Sequence, residues 1–396
     1  MAARTAPIED DGRMTRSSHP VLSNARLNRA TLARQLLLET SSLEPVAAIE
    51  QIGGVQAQEP ASPYLGLWTR LRSFEAATLD EAFRTRAIVK ATLMRGTLHA
   101  VSLNDYLRLL PAILPMLRRL NARASRGAPT RSAIDLLAKA AIEFSAEPRT
   151  NVELREHLEA LAGDDLGTGF PWWWVRRHSP FVHVPGPIPW SFGRRPALIA
   201  AEAWTGSRTF VPEAMALEHL VVRYLGAFGP ATLADLTAWS GLGVASVRPA
   251  IAALDEVGKL RRYSDERGRE LIDVVDGPLP DGDVDAPPRF LPMWDSLVLG
   301  HADRTRVLSD DHRAIVIGRN GDTLPSFLVD GRVAGLWWAE ADGNATRIVL
   351  EPFGTLPQSA RRALEQEGER LAAFVAPHEP EVYRRYRRSR ARRPAG

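Results

Sequence analysis

The sequence predicts an α+β chain in which three helix-rich units, each closed by short strands, are followed by a small β-barrel. Two observations carry this expectation. A series of apolar-faced helices running into strand-like segments returns three times between residues 23 and 286, and from about Pro288 the apolar period shortens to that of β-structure. With 396 residues, 45% of them hydrophobic and 24% charged, the chain has the composition of a globular protein and length for two to four full-sized cores.

The first unit (residues 23–125) opens on a helix from Asn28 to Glu39, with Leu32, Leu36 and Leu37 on one face. Pro45 starts a second helix that ends at Gly53-Gly54, and Pro63 precedes a third carrying Leu67, Trp68 and Leu71. Strand-like runs follow at Ile88 to Leu93 and Thr97 to Ser102. In the second unit (126–208), Ser132 to Phe144 is helical and Thr150-x-x-Glu153 is a capping box that opens a helix through Leu161. Phe170 to Trp190, rich in aromatics and proline, reads as an irregular wing. The third unit (209–286) has a helix from Glu213 to Ala227, a cap at Thr232-x-x-Asp235 and a turn at Gly241-Leu242-Gly243. Its last helix carries Val247, Ile251 and Leu254, and Pro249 should be tolerable there only in the first turn. Leu260 to Tyr263 and Glu270 to Val275 form a hairpin that would present Lys259 and Arg261.

Helices followed by a β-ribbon make the winged-helix order, a module that most often binds nucleic acid and sometimes only protein. The fourth region (287–378) offers strands at Ala314 to Ile317, Phe327 to Val329, Val333 to Trp338 and Arg347 to Leu350. Asp330-Gly331 joins two of them as a tight hairpin, and a helix from Gln358 to Phe374 closes the barrel. Residues 1–22 read as a disordered leader. Residues 379–396 form an Arg-rich tail, suited to phosphate contacts or to free solvation.

Composition excludes several chemistries. There is no cysteine, hence no disulfide, Cys-ligated zinc, iron–sulfur cluster or thiol nucleophile. The nine histidines have no metal-ligand spacing and no Gly-rich phosphate loop is present, so neither metal nor cofactor is expected. The apolar stretches are too short to span a bilayer and no secretory signal is visible, which makes a cytoplasmic monomer the expectation. Of the 50 Lys and Arg residues only Lys90, Lys139 and Lys259 are lysine.

The segment Gly53-Gly54-Val55-Gln56-Ala57-Gln58-Glu59-Pro60 is the candidate for chemistry. Pro60 pushes Glu59 toward an extended conformation, and in an extended segment Gln56 and Gln58 project to the same side. Two carboxamides supply donors and acceptors without charge, for catalysis or simply for exposed backbone groups. Elsewhere Arg95, Thr97 and His99 share one face of a strand, and His301, Asp303 and Arg304 lie in one short segment. Each set is either a wall of a DNA-binding cleft or a local hydrogen-bond network. The run Trp172-Trp173-Trp174 is either core or a platform for unstacked bases.

Leu27-Asn28-Arg29, Gln56-Ala57-Gln58, Leu67-Trp68, Arg95 to His99, Trp294 to Arg304 and Val329 to Val333 together resemble the AlkZ-type winged-helix DNA glycosylases, over roughly residues 22–378. The resemblance implies three tandem winged helices and a C-terminal β-barrel in a C-shaped clamp around duplex DNA, with Gln56 and Gln58 as the catalytic pair. It also implies the Gln-x-Gln branch, associated with self-resistance to natural products that alkylate or crosslink DNA; a second branch has Asp in place of Gln58. The chemistry agrees. A purine alkylated at N7 is already cationic, so its departure needs a placed water and dipoles facing an oxocarbenium-like sugar rather than a strong base. No lysine is near the motif in sequence, which argues for hydrolysis without a Schiff base. The alternatives are a non-catalytic winged-helix DNA-binding regulator and a protein that sequesters a genotoxic metabolite.

Overall fold

The computed structural model describes residues 19–122, 131–162, 172–193, 196–206, 209–343 and 345–390. Most of the expected leader, and the last six residues of the tail, lie outside the described residues.

The chain begins differently from a loose leader. Val21–Leu22 (β1) pairs in parallel with the later strand Leu260–Asp265 (β7), which also pairs with Glu270–Val274 (β8) to give a sheet of order β1-β7-β8. Ser23 caps the first helix, Asn24–Arg34 (α1), four residues earlier than expected. Pro45–Gln51 (α2) starts on its proline, and the chain leaves it through Gly53 and Gly54 at φ 77° and 88°, a left-handed pair that few other residues would adopt. Val55–Gln56 (β2), Ala61–Trp68 (α3) and Ala76–Arg84 (α4) follow. Pro63 lies inside the first turn of α3 rather than ahead of it.

Ile88–Thr92 (β3) and Leu98–Ser102 (β4) pair antiparallel around the turn at Arg95, as the strand-like runs suggested. Leu103–Ala122 (α5) was not foreseen: it continues through Pro111 and Pro115, and Tyr106, Leu109 and Ile113 bury one face of it. Arg131–Phe144 (α6) and Asn151–Ala162 (α7) match the expected pair, and Thr150 with Glu153 forms the capping box. The stretch expected to be irregular instead holds the helix Trp172–His178 (α8) and strand Phe181–His183 (β5). Val175 and Phe181 are buried there against α6 and α7, which outweighs the loop-like composition. Leu198–Ala200 (β6) completes a five-stranded sheet, order β2-β4-β3-β5-β6, before the short helix Ala201–Thr205 (α9).

Glu213–Phe228 (α10), Leu233–Ser240 (α11) and Val244–Glu256 (α12) precede the β7–β8 hairpin in the expected order, with both halves of the Thr232–Asp235 box formed. Pro249 corrects an expectation: α12 starts at Val244, so the proline sits in its second turn. The C-terminal region corrects another. Arg289–Leu291 (β9), Ser326–Val329 (β10), Arg332–Asp342 (β11) and Ala345–Pro352 (β12) form an antiparallel sheet of order β12-β11-β10-β9, and no closed barrel exists among the described residues. The supposed strand at Ala314 to Ile317 is mostly the helix Asp310–Val316 (α14), which follows the single turn Ser296–Leu299 (α13). Gln358–Val375 (α15) covers the sheet, burying Leu364, Leu371 and Val375 against it.

Long-range polar staples fasten the N-terminal helix to the rest. Arg34 makes a two-pronged bond to Asp273 of β8 at 2.6 and 2.8 Å, and Arg70 does the same to Asp295 at 2.9 and 2.8 Å, all four side chains buried. The Asn28 amide donates to the carbonyls of Arg306 and Gly331 at 2.7 and 2.8 Å. Asp330 and Gly331 turn between β10 and β11 at φ 46° and 70°, and a Cβ on Gly331 would lie 2.5 Å from Leu32 and 2.6 Å from Asn28 Oδ1. The arginine-rich segment is also structured: Arg384–Arg390 (α16) follows the buried Tyr383, whose hydroxyl meets Ser62 Oγ at 2.9 Å.

Candidate active site at the edge of the five-stranded sheet

β2 is the edge strand, and Gln56 stands opposite His99 of β4 while Val55 stands opposite Ala100. Strand pairing ends at Gln56, the Ala57 N–H still reaches the Leu98 carbonyl at 2.8 Å, and a bend begins at Gln58. Gln56 is buried and its Oε1 accepts from Arg95 Nη2 at 2.9 Å. Gln58 is exposed, and its Oε1 accepts from the Leu98 N–H at 3.3 Å. The two carboxamides thus share no partner, although one short segment carries both. Gln58 takes up the backbone-satisfying contact weighed from sequence, whereas Gln56 is oriented by a cation.

Arg95 owes its place to a strained turn. It has φ 57° and is followed by Gly96 at φ 73°, and the Gly241 turn at the end of α11 packs within about 3.1 Å of its Cα if a Cβ is added there. Its second guanidinium nitrogen donates to the Trp239 carbonyl. Arg95 therefore ties Gln56 to α11. Burial, helped by nearby Arg304, lowers the Arg95 pKa to about 10. Burial and then Arg95 itself push His99 down to about 3, so the imidazole stays neutral. The Thr97 hydroxyl bonds the Met94 carbonyl at 3.1 Å. Gln56, Arg95, Thr97, His99 and Arg304 thus form one neighbourhood. Arg304 is fixed by the Val298 carbonyl at 2.9 Å.

The remaining candidates lie in other settings. His301 is buried, with one ring nitrogen 3.0 Å from the Phe228 carbonyl and the other without a partner among the described residues. Burial, then Arg306, lowers its pKa to about 3. Asp303 bonds Thr305 at 2.7 Å and Arg269 at 2.8 Å; despite burial, these hold its carboxyl at about 2. Lys259 and Arg261 are exposed at the start of β7, and Arg261 stands opposite Asp273. Trp172 is tied to Asn151 Oδ1 at 3.1 Å, while the side chains of Trp173 and Trp174 lie outside the described residues.

Sequence reasoning missed a cavity of about 540 Å³ that Gln58 shares with Lys90, Arg176, His183 and Phe192. Lys90 corrects the expectation that no lysine lies near the motif. It occupies the strand position paired with Ala100, on the opposite face from His99 and Gln56. Its Nζ sits 4.3 Å from the centre of the Phe192 ring. Burial, opposed by Glu59 and reinforced by Arg176, brings its pKa down to about 7. A lysine inside the apolar run from Ile88 to Leu93 was the available signal. The rim is held by the C-terminal arm: Tyr386 donates to Glu59 Oε1 at 2.7 Å and Arg385 pairs with the same carboxylate.

The family model of the AlkZ-like DNA glycosylases matches residues 49–374, and the chain belongs to that family of DNA glycosylases. It is 25% identical over 367 residues to the interstrand DNA cross-link repair glycosylase of Streptomyces sahachiroi, spanning 86% of this chain and 93% of that protein. The solved structure of Streptomyces sahachiroi DNA glycosylase AlkZ has the same fold, with a TM-score of 0.72 at 20% identity over 90% of this chain and 98% of that one. No helix among the described residues is long and apolar enough to cross a membrane.

Proposed function

We propose that the protein is a monofunctional, monomeric DNA glycosylase of the cytoplasm, without a cofactor, that hydrolyses the N-glycosidic bond of bulky N7-alkylguanine or N3-alkyladenine in duplex DNA. Unhooking of interstrand crosslinks, and self-resistance to a genotoxic natural product, belong to the same reading; the Streptomyces sahachiroi relative is an interstrand DNA cross-link repair glycosylase. The helical units act as winged helices that hold the duplex in a clamp, with arginines on its phosphates.

The observation that carries the reading is Gln56. Its carbonyl is polarised and fixed by Arg95, leaving a second lone pair and two N–H donors on a buried, uncharged side chain. Such a group holds a water and stabilises a developing oxocarbenium ion without acting as a strong base, which suits a leaving group that is already cationic. Gln58, exposed beside it, would complete the grip on water once DNA is bound. Substrates are therefore cationic adducts, and uncharged lesions such as uracil should resist excision.

The test is to incubate the protein with duplexes carrying N7-methylguanine and a bulky N7 adduct, and to assay abasic sites. Abasic sites in intact strands, with nothing trapped by borohydride, are expected. Trapping would replace hydrolysis by Schiff-base chemistry at Lys90 or the N-terminal amine. Sequence-specific footprints without excision would establish the regulator instead.

A further inference from the structure

The cavity beside Gln58 contains an ammonium group with no hydrogen-bond acceptor among the described residues, although the Glu59 carboxylate acts on it through space. Lys90 is 3% exposed, and among the described residues it makes neither a hydrogen bond nor an ion pair; its ammonium lies over the face of Phe192. Arg176, the second cation of this cavity, has no carboxylate partner there and offers one long contact, 3.4 Å to His183 Nε2. Asn151 has its Oδ1 occupied by Trp172, which leaves its two N–H groups for other partners. The carboxylates at the rim are already engaged, Glu59 by Arg385 and Tyr386, and Glu379 by Trp190 Nε1 at 3.0 Å.

An ammonium has three donors and a guanidinium five, and the described residues leave most of these donors to whatever enters the cavity. A ligand made only of acceptors, bearing negative charge, meets that need. We infer that this cavity is a binding site for a phosphate group, with Lys90 Nζ as its innermost donor and Arg176 as its second. Taken with the glycosylase reading, on which this last step rests, the phosphate belongs to the lesion-bearing strand, drawn in beside Gln58. A free phosphate ion is the other source of the same chemistry.

The chain has three lysines, so full-length protein labelled with 13C-lysine gives three sets of ε-methylene signals, assigned with K139R and K259R. Inorganic phosphate at constant ionic strength should shift the Lys90 signal saturably and leave the exposed Lys139 and Lys259 in place. R176Q should weaken that response by ~10-fold or more, since a charge-assisted contact is lost. A duplex with a tetrahydrofuran abasic analogue should move Lys90 in the same direction and compete with phosphate. Response to phosphate but not to the duplex supports the anion site and overturns its link to DNA. No Lys90 response to either, an equal response of all three lysines, or unchanged phosphate affinity in R176Q overturns the site. Base excision is not read in any of these, so failure here is distinct from failure of the glycosylase assignment.

Discussion

Arg95 and Lys90 are five residues apart in sequence, and the strand register puts the partners of one on the opposite sheet face from the other. Both are withdrawn from water, yet the fold treats them differently. Arg95 finds the Gln56 carboxamide and the Trp239 carbonyl, and becomes a brace between the edge strand and α11. Lys90 finds an aromatic face and open space. A cation whose donors are matched inside the protein serves the architecture. One whose donors are left over serves something that arrives from outside.

The most direct way to break the comparison is at the glutamines. Gln56→Ala and Gln58→Ala should each slow single-turnover excision of a bulky N7 adduct about 10- to 100-fold while sparing DNA affinity, the lower end of the cost of one lost dipole. The double variant should be less than additive if both hold one water. Full activity in the double variant would remove them from the mechanism. Arg95 then distinguishes positioning from chemistry: Arg95→Lys should restore part of the rate lost in Arg95→Met, and the Gln56/Arg95 double variant should be no slower than Gln56→Ala alone. Additive losses would show that Arg95 acts independently of Gln56.

Stability gives a contrast of sign. Arg95→Met strands the Gln56 and Trp239 carbonyls and should cost about 1–3 kcal/mol in denaturant unfolding. Lys90→Met removes a buried charge that lacks an acceptor and should be neutral or stabilising by up to about 1 kcal/mol. Equal destabilisation by both would mean that Lys90 is a structural cation too.

A last contrast is in pH. The Lys90 environment includes Glu59, Arg176, His183, Glu379 and Arg385, and burial lowers its folded pKa to about 7 from an ordinary 10.5. Between those values the unfolded chain holds the extra proton, so wild-type stability should rise with pH through the window relative to Lys90→Met. A flat difference from pH 7 to pH 9 would show that folded Lys90 keeps its ordinary, high pKa.

Much of the fold was legible because local signals and tertiary packing agree. The Thr232–Asp235 box, the Asp330-Gly331 turn and the β7–β8 hairpin each need only a few neighbouring residues. The errors arose where packing overrode composition. α5 passes through two prolines because its other face is buried, and α8 forms in a stretch whose glycines and prolines suggest a loop. A run of β-branched residues before Ile317 became part of α14. The glutamine segment could be singled out from sequence, but its divergence could not, because the partners Arg95 and Leu98 lie some forty residues away. The Lys90 cavity draws on residues more than ninety positions apart, a distance no local pattern spans.

The hold of Asn28 on the Gly331 carbonyl, and of Arg70 on Asp295, has a consequence for inheritance. Asn28, Asp295 and Gly331 lie in the same motifs as the glutamines, yet their work is carpentry: Asn28 joins the first helix to the β10–β11 turn, and Arg70 joins the end of α3 to the Asp295 segment. Selection can therefore act on the two sets separately. Exchanging Gln56 should leave these joints intact, whereas breaking the Asn28 or Asp295 joint should loosen the frame around a glutamine that Arg95 alone then orients.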